Sequence, residues 1–213
     1  MVNLAKVALI GNPNSGKTTL FNALAGQNKK TGNWAGVTVS ESKAQLIRNN
    51  TQFTLVDLPG IYGLSLAELS QDELVVKQAI NKNDIDVYVN VLNANNLERC
   101  LFLTTEVLDL DVPTILVLNM DDERAASGKV VDVDKLQELT GCPVITTTAI
   151  NHHGIKALFD AISMALADSP ATDHQHSDLP KEIKESDLPD ADSRAEAIKQ
   201  HVKSSDDVIS ESK

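Results

Sequence analysis

Eight consecutive residues, Gly11-Asn-Pro-Asn-Ser-Gly16-Lys17-Thr18, match the pattern G-x-x-x-x-G-K-[ST] at every fixed position. They constrain the fold more than any other stretch, because that pattern cradles phosphate only between a strand and a helix. The flanks agree. Residues 5–10 form an apolar run of strand length, and Thr19-Leu-Phe-Asn-Ala-Leu-Ala25 reads as a helix. In this context successive backbone N–H groups and the helix N-terminus converge on phosphate oxygens. The loop Gly11, Asn12, Pro13, Asn14, Ser15 and Gly16, with Thr19 just beyond it, would line a nucleotide's phosphates. Lys17 would set its ammonium on the β- and γ-phosphates, and the Thr18 hydroxyl would coordinate Mg²⁺. Out of context, the same letters would spell an ordinary glycine turn.

The remaining pattern repeats strand and helix. Strand-like segments fall at residues 6–10, 37–47, 52–56, 86–92, 113–118 and 143–146, and helical periodicity at 16–25, 72–81, 95–110, 133–139 and 154–167. Residues 27–36 are polar and read as irregular, and Asn49-Asn50 supplies a turn. The continuous apolar run 113–118 is what a strand covered on both faces requires. The expectation is an α/β fold with a mostly parallel six-stranded sheet and helices on both faces. Ligands bind such sheets beyond the carboxyl ends of the strands, and each unusual motif here follows a strand.

Three of those motifs narrow the nucleotide. Asp57-Leu58-Pro59-Gly60 offers a carboxylate to a magnesium shell and the Gly60 N–H to the γ-phosphate. Asn119-x-x-Asp122 resembles the N-K-x-D element of GTPases, in which the carboxylate accepts from N1–H and the exocyclic amine of guanine. Adenine lacks that donor pair, so a site built for it discriminates by hydrogen bonding. Thr148-Ala149 resembles the [ST]-A element whose backbone meets the guanine oxygen. Two positions depart from the usual pattern. Met120 stands where a lysine is common and implies apolar packing on the base, and Ile61 stands where Ras-like GTPases carry a water-orienting glutamine.

Taken together, Gly11-Asn-Pro-Asn-Ser-Gly-Lys-Thr-Thr19, Gly32-Asn-Trp-Ala-Gly-Val-Thr-Val39, Asp57-Leu-Pro-Gly-Ile-Tyr62, Asn95-Asn-Leu-Glu-Arg99 and Leu118-Asn-Met120 resemble the cytosolic G domain of the FeoB family. Those proteins are bacterial ferrous iron transporters, and the match covers roughly residues 3–167. The resemblance implies a P-loop NTPase of Ras-like G-domain fold that hydrolyses GTP to GDP. It further implies Mg²⁺ held by Thr18 and Thr38, with Asp57 acting through water. Gly36, Val37 and Thr38 would belong to a first switch segment, residues 27–40, and residues 60–70 would form the second; both would loosen on loss of the γ-phosphate. Potassium stimulation is implied too, with K⁺ held by Asn14 and the carbonyls of Gly32 and Trp34, offsetting charge as an arginine finger would. Asn14 could otherwise be a loop-stabilising amide, and Trp34 an exposed aromatic. Asn14, Lys17, Thr38 and Gly60 would then carry the catalysis. The partner would be the membrane transport domain of the same full-length protein, with oligomerisation through that protein, at the cytoplasmic face of the bacterial inner membrane.

Composition bears on what the partners are. A net charge of −11 and a pI near 4.8 argue against a nucleic-acid groove or an anionic membrane surface. Cys100 and Cys142 lie apart and fit a reduced cytosolic compartment as small core residues. Residues 1–6 do not read as a signal peptide. No run of about 18 apolar residues occurs, so this stretch is expected to be part of a longer protein or a soluble relative. Composition shifts near residue 168: residues 168–213 hold twelve acidic and six basic residues and carry −6 of the charge. The expected organisation is a G domain over residues 1–167 and an acidic, partly helical tail over 168–213, a reduced form of a helical spacer. His174 and His176 fit a solvated linker better than a metal site, and His152-His153 read as exposed loop residues. Two other readings stay open: a soluble GTPase of the tRNA-modification or ribosome-assembly type, against which the acidic charge counts, and a nucleotide-dependent binding module with negligible hydrolysis, which Ile61 keeps open.

Overall fold

Successive residues of a strand face opposite sides of its sheet, and β1 (Ala5–Gly11) is apolar on both. Val7 and Leu9 enter one hydrophobic cluster, Ala8 and Ile10 another, and all four are fully buried. Such a strand must lie in the middle of a sheet covered on both faces. In the computed structural model, which describes residues 4–34, 39–65, 70–120 and 131–168, it does. Besides β1, the strands are β2 (Lys29–Asn33), β3 (Ser40–Arg48), β4 (Thr51–Asp57), β5 (Val87–Asn93), β6 (Thr114–Asn119) and β7 (Val144–Thr146). They form one sheet in the order β2-β3-β4-β1-β5-β6-β7. Strands β4, β1, β5, β6 and β7 run parallel, while β2 and β3 are antiparallel additions at one edge.

Five helices flank the sheet among the described residues: α1 (Lys17–Ala25), α2 (Gln71–Asn81), α3 (Leu97–Leu108), α4 (Val133–Thr140) and α5 (Ile155–Asp168). Leu20, Phe21 and Leu24 of α1 and Leu158, Phe159 and Ile162 of α5 pack on the Val7–Leu9 face. Val76 and Ala79 of α2 and Leu103 and Val107 of α3 pack on the Ala8–Ile10 face. A third cluster joins Leu101 of α3 and Leu136 of α4 to Leu116 and Leu118. Each buried Leu or Phe of this kind contributes about 1.5–3 kcal/mol. None of the described helices is long and apolar enough to cross a membrane.

The expected α/β fold is present, with one correction. The sheet has seven strands, not six, because Lys29–Asn33, read from sequence as irregular, forms β2. All five residues are exposed, so no apolar alternation could announce them. What makes them a strand is the backbone ladder to β3, from Lys29 opposite Ala44 to Asn33 opposite Ser40. Two lysines on this edge discourage further strand pairing. The Asn49-Asn50 turn does join β3 to β4, with φ of 49° and 61°, the left-handed pair that a tight hairpin demands. At the far end, the expected tail lies outside the described residues except for Asp168, the last residue of α5.

Candidate functional site

Strand β1 delivers the chain to Gly11, and α1 begins six residues later at Lys17. The intervening loop closes through the Ser15 N–H, which donates to the Asn12 carbonyl at 3.2 Å. Asn14 takes φ 63° and Gly16 φ 81°, both left-handed. At Gly16 a side chain is excluded twice over, by φ and by the Asn119 amide, into which a Cβ would collide. The loop opens onto a cleft of about 390 Å³ lined by Asn12, Pro13, Asn14, Gly16, Lys17, Thr18, Thr19, Gly60 and Asp72. The N-terminus of α1 points its free N–H groups into this space, as an anion site requires.

A cation, a hydroxyl and a carboxylate meet beside it. The Lys17 ammonium lies 2.6 Å from Asp57 Oδ1, and the Thr18 hydroxyl donates to Asp57 Oδ2 at 3.1 Å. Lys17 and Asp57 are both buried, so each charge depends on the other for compensation. Asp57 reaches this position because it ends β4, in register with Leu9 of β1. A hydroxyl and a carboxylate side by side are the hard oxygen donors that Mg²⁺ takes, so the residues present fit that ion.

Past Asp57 the chain is pinned against the phosphate loop. The Leu58 N–H donates to the Leu9 carbonyl at 3.1 Å and the Ile61 N–H to the Gly11 carbonyl at 3.2 Å. Gly60 backs onto Pro13 and lines the cleft. Leu58 and Ile61 turn their side chains into the Ala8–Ile10 cluster, each 1% exposed.

A second, narrower slot of about 30 Å³ adjoins the first and shares Gly16 and Thr19 with it. Asn119, Met120, Thr148, Ala149 and Ile150 complete its lining. Asn119 is its hub. The side-chain amide donates to the Ser15 carbonyl at 3.1 Å, while its oxygen accepts from the Thr147 hydroxyl at 3.1 Å and the Ala149 N–H at 3.2 Å. This side chain therefore braces the phosphate loop and the loop after β7 against the end of β6. Met120 follows at φ 63°, and Ile150, 75% exposed, stands at the mouth of the slot.

Of the site residues expected from sequence, Asn12, Pro13, Asn14, Gly16, Lys17, Thr18, Thr19, Gly60, Asn119, Met120, Thr148 and Ala149 line these two spaces. Asp57 reaches the first through Lys17 and Thr18, and Gly11, Ser15, Leu58 and Pro59 line neither. Gly36, Val37, Thr38 and Asp122 lie outside the described residues. Gly32 and Trp34 belong to the β2–β3 arm. Gly32 pairs with Glu41, and the Trp34 N–H donates to the Val39 carbonyl at 2.9 Å. The Trp34 ring packs on the Ala8–Ile10 cluster with Lys43 and Lys82 ammonium groups 5.7 and 5.9 Å from its centre. Neither residue lines the cleft that holds Asn14, so this arrangement does not bring the three together. Sequence reasoning missed Asp72 and Ile150. Asp72 was findable, since Ser70 and Glu73 spell a helix-start pattern that puts it in the first turn of α2. Ile150 had no signal beyond adjacency to Ala149.

The thiols behave as core groups. Burial pushes both Cys100 and Cys142 up, so they stay protonated near neutral pH. His152 and His153 are exposed in the turn before α5, and no cluster of potential metal ligands occurs among the described residues.

The comparisons with known proteins agree on one family. The family model described as Ferrous iron transport protein B matches residues 5–162. The Fe(2+) transporter FeoB of Salmonella typhimurium is 46% identical over 158 residues, covering 73% of this chain and 20% of that protein. The chain thus spans about a fifth of the length of the curated relatives it matches. Among solved structures, the cytosolic domain of L. pneumophila FeoB superposes with a TM-score of 0.72 at 40% identity, covering 76% of this chain and 68% of that one. The FeoB G domain from Methanococcus jannaschii gives a TM-score of 0.68 at 36% identity, covering 78% of this chain and all of that one.

Proposed function

This chain belongs to the ferrous iron transport protein B family, and on that premise we propose that it is the GTP-binding and GTP-hydrolysing switch domain of a ferrous iron transporter. One observation carries the reading: a phosphate cleft floored by Lys17, Thr18 and Asp57 runs into a base slot braced by Asn119. The phosphates of GTP would lie on the loop 11–16 and the N-terminus of α1, and the guanine between Met120 and the Thr148–Ile150 turn. Asp122 would read the base. Lys17 would turn from Asp57 to the β- and γ-phosphates, leaving the Asp57 carboxylate to the magnesium shell with Thr18 and Thr38. Mg²⁺, when bound, would supply charge neutralisation at the phosphates.

Water attacks the γ-phosphorus, and the bond to the β-phosphate oxygen breaks with GDP as leaving group. The Gly60 N–H would donate to a γ-oxygen as negative charge gathers there. Ile61 is buried away from the cleft, and a monovalent cation, if held at Asn14, would offset part of the developing charge. Gly32 and Trp34 would reach that cation by movement of the β2–β3 arm. Changes in the switch segments would then be relayed to a membrane transport domain at the cytoplasmic face of the bacterial inner membrane, within an oligomer of the full-length protein. The acidic charge gives no support for a nucleic-acid partner.

The burial of Ile61 also favours one rival, a nucleotide-sensing module with negligible hydrolysis. Single-turnover GTP hydrolysis with Mg²⁺ in matched KCl and NaCl separates the two. Faster turnover in KCl is expected, and Asn14→Ala should abolish the difference while leaving GDP affinity within about twofold, since one lost cation contact touches the transition state more than the ground state. Equal and negligible rates with intact GTP binding would favour the sensing module.

A further inference from the structure

Arg99, Phe102 and Glu106 of α3 are spaced three and four apart, so they share one face of the helix. That face meets the chain just after Gly60. The Arg99 guanidinium lies 4.3 Å from the centre of the Tyr62 ring. Phe102 stands so close to Gly63 that a Cβ there would lie 2.7 Å from its Cε1, and 3.1 Å from Glu106 Oε2. Glu106 Oε2 accepts the Leu64 N–H at 2.6 Å, and its Oε1 accepts the Ser65 N–H at 2.9 Å. The Glu106 side chain is 6% exposed. A buried carboxylate accepting two backbone N–H groups makes charge-assisted bonds, the strong kind. On the other side of Gly60, Leu58 and Ile61 are tied to the β1 backbone. Residues 58–65 are therefore held from both ends.

We propose that Glu106 is a positioning residue for hydrolysis. It acts through the backbone: by holding the Leu64 and Ser65 N–H groups it fixes the chain beyond Gly60. The Gly60 N–H is thereby presented to the terminal phosphate without reorganisation at the moment of reaction. Residues 61–65 accordingly stay docked on α3 with either nucleotide bound, which narrows the expectation that the whole segment 60–70 loosens. This inference rests on the GTPase reading above, but its geometric half does not need turnover to be tested. Displacing a reacting group by about an ångström can cost a hundredfold in rate, so loss of the anchor should register in kcat.

The test measures amide exchange at Leu64 and Ser65 in this chain, with GDP and with a non-hydrolysable GTP analogue, beside kcat and KM for GTP. Protection of both amides is expected in both states. Glu106→Ala should abolish that protection and lower kcat about tenfold or more, with KM and GDP affinity within about twofold. Gly63→Ala, whose methyl would crowd Phe102 and press on Glu106 Oε2 while leaving the Glu106 side chain itself in place, should do the same if Glu106→Ala folds poorly. Glu106→Gln keeps an acceptor oxygen and should recover much of the rate. Exchange-competent Leu64 and Ser65 in the wild-type GDP complex would overturn the proposal. So would an unchanged kcat in both Glu106→Ala and Gly63→Ala. A wild-type chain that hydrolyses no GTP would sink the GTPase reading, and with it the catalytic half of the proposal. Docking on α3 would still stand or fall on the exchange data.

Discussion

Ile61 follows Gly60 at the position where a glutamine would orient water, yet its side chain lies among Ala8, Ile10, Val56 and Leu58. The backbone N–H faces the Gly11 carbonyl, and that bond turns the side chain away from the cleft. Installing the missing amide should therefore fail. Ile61→Gln would trade apolar burial for a buried polar group and is expected to destabilise the fold by about 2–4 kcal/mol without accelerating hydrolysis. Denaturant titration and a turnover assay check both halves; faster turnover at unchanged stability would mean that the side chain swings into the cleft. Asn119 illustrates the converse. Its spacing from Asp122 marked it as a nucleotide contact, and its hydrogen bonds make it the brace that holds the neighbouring loops in place.

Helix α2 shows how an element boundary serves the site. Ser70 and Glu73 form a reciprocal capping box: Glu73 N–H donates to Ser70 Oγ at 3.3 Å, and Ser70 N–H donates to Glu73 Oε2 at 2.7 Å. Asp72 and Glu73 in the first turn also complement the positive end of the helix dipole. This start fixes where Asp72 enters the phosphate cleft. Ser70→Ala should cost about 1 kcal/mol of stability, read as a lower denaturation midpoint at unchanged slope. No loss would show that the Glu73 half of the box suffices. Strand β2 has no comparable local signal, and all five of its residues are exposed. Such a strand is suited to rearrangement at little cost.

Across the molecule, the sheet interior sets a pH limit. Tyr88 of β5 is 2% exposed on the Ala8–Ile10 face, where burial, and secondarily the negative charge of Asp84, push its hydroxyl well above the ordinary value of about 10. The native state thus holds that proton more tightly than the unfolded chain does. Its stabilising contribution is complete below pH 10 and declines as pH rises beyond it. Unfolding free energies at pH 8, 10 and 11 should fall more steeply for the wild type than for Tyr88→Phe; parallel slopes would assign the alkaline loss to other groups. The composition break near residue 168 concerns the whole chain as well. Cutting after Asp168 removes −5 of the net charge of −11 but no described core residue. The shortened chain should retain GDP affinity within about twofold, as expected when a cut crosses few contacts. A larger loss would make the acidic tail part of the nucleotide domain.

The sequence by itself determined the α/β class, the phosphate loop and its flanking elements, and the placement of each motif after a strand. Hydrophobic period and glycine-bounded spacing are local properties, readable a few residues at a time. The family resemblance rested on the same short runs. Tertiary structure alone decided the rest. A fully polar strand exists because β3 offers it a ladder. Asn119 becomes a brace through a partner 104 residues away in sequence, and Glu106 meets Leu64 across 42. Such contacts depend on where separate elements pack, and no pattern within either segment encodes the distance between them.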